Sequence, residues 1–75
     1  MSEFAVGDKV VTVGKIDGVP LDSVPIGSKG VVVSIGENSY GGGFFVNLYD
    51  QEFKEVMGYF CEGYSLVLEN DHGPV

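Results

Sequence analysis

The side chains able to do chemistry are few and scattered. His72 is the single histidine and stands in a His-Gly-Pro tail with no cysteine or second histidine beside it. Metal ligation or general-base work would need convergent partners or a shaped cleft. Cys61 is the single cysteine and lies in the run Tyr59-Phe60-Cys61. It reads as a small buried apolar group with no base to activate it. Eleven carboxylates could supply an acid–base pair, but that chemistry needs one carboxyl desolvated in a substrate-sized cleft, which so short a chain can hardly build. Gly41-Gly42-Gly43 resembles a phosphate cradle only in its glycines, because no lysine or hydroxyl residue follows at the P-loop spacing and no helix begins there. A flexible hairpin tip is the better reading. The expectation is therefore no enzyme, no cofactor, no metal and no catalytic residues.

The more informative pairing is aromatic with acidic. Tyr40, Phe45, Tyr49 and Tyr64 lie near Asp50, Glu52, Glu55 and Glu62 in the second half of the chain. Tyrosine and phenylalanine offer large contact area at low entropic cost, and carboxylates steer a basic partner. These eight residues are the candidate partner-binding set. The competing reading is that a small barrel needs its aromatics inside, and Phe44, Phe60 and Tyr59 are assigned to the core on that ground.

Seventy-five residues make one domain, with a core over about residues 4–69 and a mobile tail over residues 70–75. A chain of this length buries only about 60% of the surface its unfolded form exposes. Hydrophobic residues are 44% of the chain and charged residues 20%, a composition that excludes disorder. The lack of a leading basic-apolar segment and the unpaired cysteine point to the cytoplasm, and no apolar stretch approaches the ~20 residues that span a bilayer. Four lysines and no arginine against eleven carboxylates give a net charge of -7. That sign repels phosphate backbones and anionic lipid, although it also serves solubility alone.

The elements that must position these residues are short strands. Lys9 to Val13 forms a first strand after the turn Val6-Gly7-Asp8, with Met1 to Ala5 as a lead-in. Gly14 to Gly27 holds Asp17-Gly18, Pro20 and Pro25 and reads as a long ordered loop, its Ile16, Val19, Leu21, Val24 and Ile26 folding back over the sheet. Lys29 to Ile35 is a central strand whose adjacent valines imply burial near both faces. Glu37 to Gly43 is a hairpin tip carrying Tyr40, and Phe44 to Tyr49 returns from it. Period two sets Phe44, Val46 and Leu48 toward the core and Phe45, Asn47 and Tyr49 outward. A charged turn over Asp50 to Glu55, a strand over Val56 to Cys61 broken by Gly58, and a last strand over Ser65 to Glu69 complete the pattern.

Taken together, VGDKV at Val6 to Val10, PIGSKGVVVSI at Pro25 to Ile35, FVNLY at Phe45 to Tyr49 and the closing YFCEGYSLVLE resemble the SH3-like barrels, especially the KOW-type half. Gly27, Gly30 and Val32 match that group's G-x-x-G-x-V element. The resemblance implies an all-β, single five-stranded SH3-like barrel with a long first loop. Its members include RNA- and protein-contacting modules and small accessory subunits that dock on larger assemblies, so the fold leaves function open. The leading expectation is a non-catalytic acidic module that docks on a larger protein with a basic face, as adaptor, accessory subunit or inhibitor. One alternative is a nucleic-acid mimic of the phage or mobile-element type, filling the basic groove of a DNA- or RNA-binding enzyme. The other is KOW-like contact with RNA or the ribosome through Lys9, Lys15 and Lys29, which the missing arginines disfavour.

Overall fold

The computed structural model describes residues 4–36 and 43–72. It contains five strands: β1 (Lys9–Thr12), β2 (Lys29–Gly36), β3 (Gly43–Asp50), β4 (Glu55–Glu62) and β5 (Leu66–Leu68). They form one antiparallel sheet in the order β4-β3-β2-β1-β5, so the last strand lies beside the first. Each strand sends a buried side chain to the same cluster: Val10, Val32, Val46, Cys61 and Leu66. The sheet therefore curls around a single core, with β2 at its centre as expected.

The family-like glycines have local physical reasons. Gly27 adopts φ +96, a left-handed backbone that glycine alone tolerates cheaply, and the turn there is tied to Thr12. The Thr12 hydroxyl accepts from the amides of Gly27 (3.1 Å) and Ser28 (3.0 Å) and donates to the Pro25 carbonyl (3.1 Å). A Cβ on Gly30 would lie 2.5 Å from the Asn47 carbonyl oxygen, so glycine is what lets β2 and β3 approach. Val32, two residues on, is fully buried.

Between β1 and β2 the chain makes the expected long loop, and Ile16 and Val24 drop from it into the core, with Val19 packed against them. Leu21 and Ile26 do not follow and remain exposed. The lead-in is more than a lead-in: Phe4 is buried and meets Phe44 edge-on, ring centroids 5.0 Å apart. β4 runs without a break through Gly58, and the chain then passes through a short 3-10 turn at Gly63–Ser65 into β5. The expected mobile tail begins as a single helical turn at Glu69–His72.

Two burial expectations are corrected. β2 is not buried near both faces, since Val32 is inside while Val31 and Val33 are exposed. Among the described residues the apolar cover, Phe4 and the first loop, goes to the inner face. Phe60 is not a core residue either. It stands opposite Phe45 on the outer face, the two rings 5.0 Å apart and steeply inclined.

Candidate binding face

Strand alternation divides β3 cleanly. Phe44, Val46, Leu48 and Asp50 are buried, while Phe45, Asn47 and Tyr49 are exposed. Across the ladder, Phe45 pairs with Phe60, Asn47 with Gly58 and Tyr49 with Val56. On the other side Asn47 pairs with Val31. Val31, Val33, Phe45, Tyr49 and Val56 are thus set outward on β2, β3 and β4, with Val56 63% exposed. Phe60 packs over Gly36 and Gly43, where an added Cβ would lie within 2.8 Å of its ring. These glycines leave room for the Phe60 ring, which meets Phe45 edge-on.

Most of the acidic and aromatic set expected from the sequence falls on or beside this hairpin. Glu62 extends the outward row past Phe60, and Tyr64 follows it in the 3-10 turn, 82% exposed. At the opposite end Glu52 lies within the β3–β4 turn, and Glu55 opens β4 opposite Asp50, on the inner row. An eight-residue strand separates the two ends by about 26 Å, so Glu62 closes one end of the apolar strip and the exposed turn carboxylates lie beyond the other. Tyr40 lies outside the described residues. Val31, Val33, Val56 and Phe60 belong to the face without having been expected there. Three successive valines cannot all point inward, which is the signal that could have found two of them.

Asp50 is the exception, because it is 1% exposed and points to the core side of β3. A carboxylate so placed must be satisfied internally, and here it is. Its Oδ1 accepts from the amides of Glu52 (2.9 Å) and Phe53 (3.0 Å), and its Oδ2 accepts from the Tyr59 hydroxyl. The Tyr59 hydrogen bond, helped by the Phe53 and Glu52 amides, holds the Asp50 carboxyl below its ordinary value of 3.8 against the opposing effect of burial. Burial first, then the bond to Asp50 and the nearby carboxylates, pushes the Tyr59 phenol up to about 12. Asp50 is therefore the clasp of the turn and no part of the outward face. Ser23 locks the same turn to the first loop: its carbonyl accepts from the Gln51 amide (2.8 Å), and its hydroxyl donates to Glu52 (3.1 Å).

Cys61 is fully buried, and desolvation, followed by the Glu62 charge, raises its thiol to about 11. At neutral pH it is a protonated packing group. A depression of about 330 Å³, lined by Gly7, Asp8, Lys9, Leu68, Glu69 and Asn70, lies away from the hairpin face. Among the described residues no group of three or more His, Cys, Asp or Glu side chains is placed to hold a metal ion, and no helix is long and apolar enough to cross a membrane. Comparison with protein-family profiles, curated proteins and solved structures gives no significant match for this chain.

Proposed function

We propose that this protein is a non-catalytic docking module, its sheet an SH3-like barrel of the KOW or accessory-subunit type, which binds a larger protein bearing a basic face through the outer side of the β3–β4 hairpin. The observation that carries the reading is an exposed apolar strip, Phe45, Tyr49 and Val56 with Val31 and Val33 beside them, with Glu62 in the same row at one end and the exposed Glu52 and Glu55 of the β3–β4 turn beyond the other. An apolar centre inside a charged rim is the usual anatomy of a protein interface, and a chain of net charge -7 attracts a partner of opposite sign. Adaptor, accessory subunit and inhibitor are all uses of one such face.

A photo-crosslinker placed at position 49, and separately at Asp17 in the first loop, tests this directly in extract from the source organism. Capture of one basic protein from position 49 and not from position 17, abolished by Phe45→Ala, is the expected result. Equal capture from both positions, or recovery of RNA in place of protein, would overturn it.

A further inference from the structure

The sheet has two lateral edges, and they are protected very differently. β5 is three residues long and runs straight into a helical turn. β4 is eight residues long, pairs with β3 at every position without a register shift, and has no partner on its other side among the described residues. Exposed edges are normally blunted by charge, proline or bulges. Between Glu55 and Glu62 the sequence is Val56-Met57-Gly58-Tyr59-Phe60-Cys61, which offers none of these.

This edge is complementary to itself in one register. Two copies joined antiparallel about a two-fold axis perpendicular to the sheet keep their outer faces on the same side. Residues opposite one another then belong to the same face, and one residue faces its own copy. With Gly58 at the centre, Val56 lies opposite Phe60 of the second copy, Met57 opposite its Tyr59 and Glu55 opposite its Cys61, while Lys54, the turn residue just before the strand, comes near its Glu62. The outer row is then apolar against apolar, the axis passes between two glycines, and unlike charges meet at both ends. Centring on Met57 would set Glu62 against Glu52. Centring on Tyr59 would set Glu62 against Val56. Like charges directly across a ladder are unfavourable, and of these three registers only the Gly58 one sets unlike charges at both ends; its one mixed pair, Glu55 opposite Cys61, falls on the inner row. The net charge of -7 on each copy is screened beyond about 8 Å at physiological ionic strength, whereas the Lys54–Glu62 contacts act at close range.

We propose that the protein forms a two-fold dimer by antiparallel pairing of β4 with β4 of a second copy, centred on Gly58 and closed at both ends by Lys54 and Glu62. The product is a ten-stranded sheet in which the two outer faces are contiguous. Sedimentation equilibrium at physiological salt is expected to show a concentration-dependent dimer. K54E and E62K should each weaken dimerisation roughly tenfold, because each sets like charges together at two sites. The double variant K54E/E62K should dimerise as the native chain does, and an equimolar mixture of the two single variants should form a heterodimer. Neither substitution touches the core, so the melting temperature of each single variant controls for folding. Amide exchange in β4 should slow as the chain dimerises. A chain that is monomeric at every concentration overturns the proposal, as does a dimer indifferent to both substitutions. A chain that stays monomeric and gains β4 amide protection only with an added Lys-rich β-strand peptide overturns it in favour of a foreign strand. The docking face can fail its crosslinking test while the dimer stands, and the reverse.

Discussion

The two faces of β3 are built from similar residues and have opposite fates. Phe44, Val46 and Leu48 lie on the inner face and are buried, whereas Phe45 and Tyr49, one step along the strand, are 42% and 49% exposed. What separates them is the rest of the chain. Phe4, Ile16 and Val24 fold over the inner side, and no described residue folds over the outer one. A chain of this length buries only about 60% of the surface its unfolded form exposes, which leaves much apolar surface outside. Among the described residues the outer face is left uncovered, and its apolar residues are set out by the same alternation that builds the core.

That difference can be broken by substitution. The largest effect is expected at Leu48, which is fully buried. Leu48→Ala should cost about 2–5 kcal/mol in a denaturant titration, the range for a buried leucine whose cavity cannot collapse. A loss no greater than that of an outer-face substitution would erase the distinction between the faces.

An intermediate effect belongs to the clasp on the inner side of the turn. Asp50 has a folded pKa below 3.8, so it contributes stability above that pH which is lost as pH falls through the lowered value. Tyr59 is shifted the other way, from 10.0 to about 12. Its contribution is full below pH 10 and disappears as pH rises through about 12. Tyr59→Phe should cost about 1 kcal/mol at neutral pH and should move the onset of acid destabilisation upward, since the Tyr59 bond is the main cause lowering the Asp50 pKa. Its remaining alkaline loss should follow Cys61, between 9.0 and about 11. Unfolding free energies at stepped pH would measure this, and unchanged acid and alkaline limbs in Tyr59→Phe would show that the pair is not coupled to folding.

The smallest effect on stability, and the sharpest on binding, is expected outside. Tyr49→Ala should change stability by no more than about 0.5 kcal/mol while weakening the captured partner in a direct binding titration. If it destabilises as Leu48→Ala does, the outer face is structural.

Much of this arrangement was legible from residue order, for identifiable reasons. Turn glycines and prolines bound the strands, and the period of two along Phe44 to Tyr49 assigned both faces of β3 correctly. The misreadings come from side chains judged by type alone. Asp50 is in phase with Phe44, Val46 and Leu48, so alternation places it inside, yet its charge suggested a surface role. It is the Tyr59 hydroxyl and two turn amides that make burial tolerable. Phe60 was assigned to the core as a large aromatic, but its ladder partner is Phe45, and pairing across strands is not written in either segment alone. The same holds for Phe4, whose partner Phe44 is 40 residues away in the chain.

By itself the sequence determined the strand-and-turn alphabet, because φ preference, the two-residue period and the apolar content are local properties of each segment. Tertiary structure decided which face of the sheet received the chain's limited apolar cover, which carboxylate was taken inside to clasp a turn, and which edge was left long and unprotected. Those outcomes depend on contacts between segments far apart in the chain, and their free energies exist only once the sheet has curled around its core.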